Sequence, residues 1–259
     1  MTIPSLPPDT LDPPLVSGEP RFGPTPRRGR WRPLRAMWEW TKSMATALLL
    51  FLLIRSFVVE AFKIPSGSME GTLLVGDFLL VNKMVYGAEV PFTGARLPAV
   101  DAPRHGDVIV FRWPVDPTKD FVKRVVGVPG DTVGMVDGVL RRNGRSVKEP
   151  YVSHTEPGSD PAGEEFRWQQ HFLVRRAPAG ASYHPSRNNW GPLVVPRQHL
   201  FVLGDNRDNS LDSRYWGFVP DSMVKGRPLL VYFSYAPDSA SPVPFLTNVR
   251  WRRLGTRIH

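Results

Sequence analysis

A chain of 259 residues, 41% of them hydrophobic, can bury a sizeable core and suits one main domain with appendages. Its formal charge of +9 points to an anionic partner, either nucleic acid or a membrane surface, and its 28 prolines and 22 glycines favour short strands and turns over long helices. The absence of cysteine excludes disulfides, thiolate zinc sites and a cysteine nucleophile, and leaves the redox compartment open.

Residues 1–34 are proline-rich, lack aliphatic periodicity and carry Arg21, Arg27, Arg28, Arg30 and Arg32, with Arg35 just beyond; a disordered basic cytoplasmic tail is expected. The anchor segment 35–60 decides between the two anionic partners. SMATALLLFLLIRSFVV (43–59) is about 17 residues interrupted only by Arg55, near the lower limit for a spanning helix. Trp38, Trp40 and Lys42 before it and Lys63 after it are suitable interfacial anchors, and Arg55 can snorkel toward headgroups. A polar lead of about 40 residues is too long for a cleaved secretory signal, and no clear small-x-small site follows. A buried helix of a soluble domain is disfavoured because 45–54 is apolar on all faces. By the positive-inside rule the arginine block stays in the cytoplasm and the chain after about residue 60 lies outside, with Arg55 and Lys63 opposing weakly. The expected partner is a lipid bilayer and not nucleic acid.

Strand-like runs follow at 77–86, 107–113, 121–128, 132–136, 199–203 and 229–235, broken by Gly87, Gly106, Pro129-Gly130, Asp137-Gly138 and Gly204-Asp205. With no long amphipathic helix between them, they predict a mainly β fold: an antiparallel, barrel-like core over 61–137 and 199–240. Residues 138–198, where charge, proline and glycine accumulate, are expected to form a smaller inserted β-rich subdomain with a mobile loop. Arg250, Trp251, Arg252, Arg253 and Arg257 make 241–259 a basic tail, either solvated or touching anionic lipid.

Chemistry is suggested first by Ser66-Gly67-Ser68, directly after the apolar run. Such a triplet also occurs in ordinary turns, but glycine beside serine lets a hydroxyl and its own amide face one cleft. Lys123 sits among Phe121, Val122, Val125 and Val126, surroundings that would disfavour its charged form and so equip it as a base for a serine. Gly204 to Gly217 is rich in turn residues and in charges of both signs. It reads either as a rigid ion-paired loop or as a surface Asx-turn loop.

IPSGSM (64–69) followed by Thr72-Leu73, GDVIVFRWP (106–114), FVKRVVGVPGD (121–131) and GDNRDNSLDSRYWGFVP (204–220) resemble the four successive boxes of bacterial type I signal peptidases. The resemblance spans most of 58–235, in order, behind an anchor of the expected kind. It implies a membrane endopeptidase that removes signal peptides after small-x-small (Ala-X-Ala) sites through an acyl-enzyme, with no metal or organic cofactor. Ser68 then matches the nucleophile and Lys123 the general base; the Ser68 amide and the Ser66 hydroxyl match the oxyanion hole, and Ser210 the group that orients the lysine. Asp212 and Arg214, with Asp205 and Arg207, match the supporting salt-bridged loop, and Arg124 supports the fold. Ile64, Met69, Leu73 and Val122 match one small-residue pocket, and Phe62, Leu79, Val110, Asp120 and Val122 the other. Preprotein signal peptides are the implied substrates and the export machinery a candidate partner. Two departures stand out: Glu70-Gly71 replaces a residue-proline pair, so a less restrained turn is expected after Met69, and Leu211 is bulkier than the usual small residue and is expected to narrow the cleft.

The rivals fit less well. The six histidines show no HExxH or other close ligand pairing, and no G-x-S-x-G elbow is present. A serine-lysine autoprotease of the repressor type would carry a DNA-binding module in place of the anchor. A membrane-tethered binding domain would tolerate loss of Ser68.

Overall fold

The computed structural model describes residues 32–90, 93–174, 183–237 and 243–259. The basic tail expected over 1–34 lies, as far as residue 31, outside the described residues. The chain divides into two compact units, Met1–Leu48 and Leu49–His259. Helix α1 (Arg32–Leu53) covers most of the apolar run and extends it backward over Trp38, Trp40 and Lys42. Its large apolar side chains from Leu48 to Ile54 are 45–58% exposed, a surface that calls for lipid or another apolar cover. Among the described residues, one helix is long and apolar enough to cross a membrane, Arg35–Val58. After Leu53 the helix loosens into a π turn, Ile54–Val58, which leads straight into a strand.

That strand is β1 (Val59–Lys63), followed by β2 (Asp77–Asn82), β3 (Val108–Arg112) and β4 (Asp120–Gly127). The chain then builds β5 (Thr132–Val136), β6 (Val139–Arg142), β7 (Arg145–Ser146) and β8 (Trp190–Val194) before returning as β9 (His199–Leu203). A single helical turn, α2 (Ser213–Trp216), then β10 (Val219–Pro220), β11 (Val224–Ser234) and α3 (Pro244–Thr247) complete the order. The large sheet runs β1-β2-β11-β3-β4-β9-β10 and the small one β7-β6-β5-β8, with antiparallel neighbours throughout. The fold is therefore mainly antiparallel β, as the strand runs predicted. Register slips in β11 at Pro228/Leu230 and Val231/Phe233, and in β4 at Val125/Gly127, bend these strands and curl the large sheet into a half-barrel.

The core follows from strand alternation. Along β2, Asp77, Leu79 and Val81 are buried while Phe78, Leu80 and Asn82 are not, so one face packs inward. Leu73, Leu79, Val81, Val110 and Val231 form a cluster with Ile64 and Met69, and this cluster underlies the serine turn. A second cluster, including Val133, Met135, Trp190 and Leu193, joins the small sheet to Phe201 of β9.

The last residues depart from the expectation of a solvated or lipid-touching tail. Ile258 is 7% exposed and belongs to the first cluster, and Arg257 bridges to Leu230. Arg253 grips the fully buried Asp77 at 2.5 Å, and Arg250 donates to the Val75 carbonyl at 2.8 Å. Arg250, Arg253 and Arg257, which gave the segment the look of a solvent-facing tail, help to dock it.

Candidate active site

Three segments converge on one cleft. β1 leads through Pro65 into a 3-10 turn, Gly67–Met69, that presents Ser68. β4 carries Lys123, paired in register with Ile109 of β3, and Arg124 pairs with Leu203 of β9. The loop beginning at Gly204 therefore leaves β9 right beside the lysine.

Lys123 Nζ donates to Ser68 Oγ at 2.6 Å, across 55 residues of sequence. The lysine is 3% exposed, and burial pushes its amine down to about 8 from an ordinary 10.5. Asp212 opposes that shift, Arg214 assists it and Asp205 opposes it. Among the described residues no carboxylate lies within ion-pair distance of Nζ; a further neighbour is the Phe121 ring, with its centroid 5.4 Å away. Ser66 Oγ lies 3.5 Å from Ser68 Oγ, which puts a second hydroxyl beside that of Ser68.

The cleft has a volume of about 330 Å³, and Phe62, Ile64, Met69, Asp120 and Val122 are among the residues that line it. Asn209 and Leu211 line it too, and Leu211 is 46% exposed there. Leu73, Leu79 and Val110, expected on the same wall, are fully buried in the cluster behind it, where they support Ile64 and Met69 and do not face the cleft. Asp120 is held by Lys225 at 2.7 Å.

The Ser210 hydroxyl is buried and is not hydrogen-bonded to the Lys123 amine in this structure; it lies beside the Asp212 carboxyl, which it helps to hold ionised. It also packs on Gly204, where a Cβ would collide with both Ser210 Oγ and the Ser68 carbonyl. Glycine is needed here because the loop passes this close to the serine turn.

The supporting loop is an array of buried ion pairs. Arg214 binds Asp212 through Nε at 2.8 Å and Nη2 at 2.8 Å, and Asp212 also accepts from the Gly204 amide at 3.1 Å. Burial works against ionisation of Asp212, but the Arg214 charge and these hydrogen bonds outweigh it and hold the carboxyl below its usual range. Arg124 grips Asp205 at 2.8 and 2.7 Å, stacks 3.8 Å from the Tyr151 ring, and reaches the main-chain oxygens of Gly106 and His259. Arg207 forms a bidentate pair with Glu149 at 2.8 and 2.6 Å, a partner the sequence did not suggest. Asn206, also unremarked in the sequence, donates from its backbone to the Ser68 carbonyl at 3.2 Å and from Nδ2 to the Gly67 carbonyl at 3.3 Å, clamping the serine turn.

The turn after Met69 is not loosely restrained, contrary to expectation. Gly71 adopts φ +107°, which proline cannot, and a Cβ there would stand 3.0 Å from the Tyr151 carbonyl. Ser153 Oγ donates to the Glu70 carbonyl at 2.7 Å, so the 151–153 segment does the restraining.

A serine hydroxyl held by a buried, carboxylate-free lysine on an antiparallel β frame is the equipment of a serine hydrolase with lysine in place of histidine as base. The sequence profile described as "Signal peptidase, peptidase S26" matches residues 37–233. Signal peptidase I of Pseudomonas aeruginosa is 40% identical over 225 residues, covering 82% of this chain and 78% of that one. Signal peptidase I of Aquifex aeolicus is 33% identical over 247 residues, covering 81% and 91%. The chain belongs to the signal peptidase I family of membrane-anchored serine peptidases, which cleave signal peptides from secreted preproteins.

Proposed function

We propose that Ser68 and Lys123 are the catalytic pair, and that cleavage follows small-x-small sites such as Ala-X-Ala on the outer side of the inner membrane. The observation that carries this reading is the 2.6 Å contact between Nζ and Oγ at a lysine whose amine burial pushes down to about 8. With the amine neutral, the Ser68 hydroxyl donates its proton to Nζ as its oxygen attacks the scissile carbonyl. The Ser68 amide and the Ser66 hydroxyl stabilise the resulting oxyanion. As the tetrahedral intermediate collapses, the Lys123 ammonium returns the proton to the leaving amine, and an ester at Ser68 remains. Lys123 then takes a proton from water, which attacks the ester; on collapse the Lys123 ammonium returns that proton to Ser68 Oγ, so the hydroxyl and the neutral amine are restored and the new C-terminal carboxyl group leaves, losing its own proton to solvent. The Ser210 hydroxyl, next to Asp212 and Gly204, is assigned as the orienting partner of the amine while Ser68 is acylated. These steps draw on no metal or organic cofactor.

Specificity is assigned to the cleft. An extended peptide laid along it meets the walls of Phe62, Ile64, Met69 and Val122, and shallow apolar walls reject large side chains by sterics. The arginine-rich N-terminal tail supports a cytoplasmic N-terminus and an external catalytic domain, next to the export machinery. The test is cleavage of a preprotein with an Ala-X-Ala site by purified variants in detergent. Ser68→Ala and Lys123→Ala should each lose more than about 10³-fold in kcat/KM while remaining folded; near-normal turnover by either would overturn the assignment. Proteolysis of the catalytic domain in intact spheroplasts tests the orientation.

A further inference from the structure

A second cavity, larger than the catalytic cleft, opens where the π turn passes into β1. It has a volume of about 600 Å³, and its wall is cationic: Arg55, Lys83, Arg96, Arg112 and Lys225 face it, against Glu60 and Glu89. Three of these cations have counterions. Arg112 pairs with Glu89, Lys225 with Asp120 at 2.7 Å and Lys83 with Glu60 at a looser 3.5 Å. Arg96 spends its hydrogen bonds on the carbonyls of Gly87, Asp221, Ser222 and Val224, none of which neutralises its charge. Arg55 makes no hydrogen bond or ion pair among the described residues. The wall therefore keeps two uncompensated positive charges.

The rest of the setting says what kind of anion fits. Leu52, Arg55 and Ser56 of the cavity wall belong to the membrane-length segment itself, and Phe51 to Ile54 beside them are 45–58% exposed. A ligand with a phosphate in the cavity would have apolar surface next to it on which acyl chains can lie. The π turn is what brings Arg55 to this spot, in keeping with the use of such local widenings at functional sites.

We propose that this cavity binds the phosphate of an anionic glycerophospholipid, with Arg55 as its principal ligand and Lys83 and the Arg96 charge in support. The site is separate from the catalytic cleft and rests only on the chain's membrane anchoring, not on the assignment of Ser68 and Lys123.

The experiment is thermal unfolding of the full chain in neutral detergent micelles, titrated with phosphatidylglycerol, phosphatidylcholine or inorganic phosphate. Phosphatidylglycerol should raise the midpoint saturably, while phosphatidylcholine, whose ammonium offsets its phosphate, and inorganic phosphate, which lacks chains, should do so much less. Arg55→Gln should raise the half-saturating phosphatidylglycerol concentration by about tenfold or more, and Arg55→Lys should restore most of the binding. Lys83→Gln, outside the helix, should weaken binding in the same direction and serves if Arg55→Gln does not fold. Equal effects of the two lipids would overturn the proposal. So would an inorganic phosphate effect matching that of phosphatidylglycerol, or unchanged titrations in the folded variants.

Discussion

Lys123 and the arginines beneath it are all buried cations within one stretch of structure, yet they are held in opposite ways. Arg124 is the next residue along β4, 2% exposed, and its guanidinium satisfies a carboxylate, two main-chain oxygens and an aromatic face. Lys123 is about as buried and has one serine hydroxyl. A guanidinium stays charged and gathers partners in a planar fork, whereas an amine deprived of them gives up its proton. The two carboxylates whose fields would keep Lys123 charged, Asp205 and Asp212, are already bound to Arg124 and Arg214. The loop thus favours a neutral Lys123 amine by keeping its negative charge occupied.

The strongest way to break that contrast is Lys123→Met, which keeps the volume and removes the ionisable group. Activity should fall by more than about 10³-fold. Stability should rise, because the native state no longer holds an amine forced down to about 8; the upper bound is about 3 kcal/mol at pH 7. The sign can be checked against pH. Between about 8 and 10.5 the unfolded wild type binds more protons at this site than the folded one, so wild-type stability gains a rising component with pH in that window. That component should be missing from Lys123→Met in denaturant titrations. By the same logic, wild-type kcat/KM should climb with pH through about 8 and then level off.

Next in size is Arg214→Met, which strands Asp212 as a buried carboxylate near Lys123. Breaking a buried pair from one side costs about 3–5 kcal/mol, and the freed negative charge should also shift the rise in kcat/KM to higher pH. Adding Asp212→Asn keeps an acceptor for the Gly204 amide but removes the charge. It should recover much of the lost stability and return the pH profile toward wild type. If the single variant keeps the wild-type profile, the arginine is not shielding Lys123.

Gly204→Ala is smaller in stability and sharper in mechanism. The new methyl meets the Ser68 carbonyl and Ser210 Oγ, so the serine turn must shift. Overpacking of this kind costs about 1–3 kcal/mol. A displacement of Ser68 should lower kcat by about 10²-fold, with KM changed far less.

Much of this was legible in the sequence, and the failures have physical causes. The run 132–136, bounded by turn residues on both sides, matches β5, and 199–203, closed by Gly204-Asp205, matches β9. β1 was hidden because its Val59 reads as the end of the membrane run, and β8 because Pro192 argues against a strand. The C-terminal segment docks through Ile258 and through arginines that find buried acceptors, a combination that gives no periodic signal. Ser68 and Lys123 could be nominated from their neighbours, but their contact depends on the pairing of β3, β4 and β9 and on Asn206. Leu73, Leu79 and Val110 carried the right apolar chemistry for the cleft wall but face the core, a distinction of which way a turn or strand residue points that composition does not record.

The smallest expected effect belongs to Leu211→Ala, and it tests where the contrast between buried pair and open cleft ends. Leu211 is half exposed on the cleft wall, so its truncation should change stability by no more than about 1 kcal/mol. What it removes is bulk that an incoming side chain must clear. Cleavage of a preprotein with valine before the scissile bond should therefore improve relative to alanine by about threefold to tenfold, the low end of what a methyl-scale difference in a pocket is worth. The pH dependence should not move, because Leu211 carries no charge and leaves the ion pairs of Asp205 and Asp212 intact. A shifted profile with unchanged selectivity would mean that Leu211 governs water access to Lys123 and not the fit of the substrate.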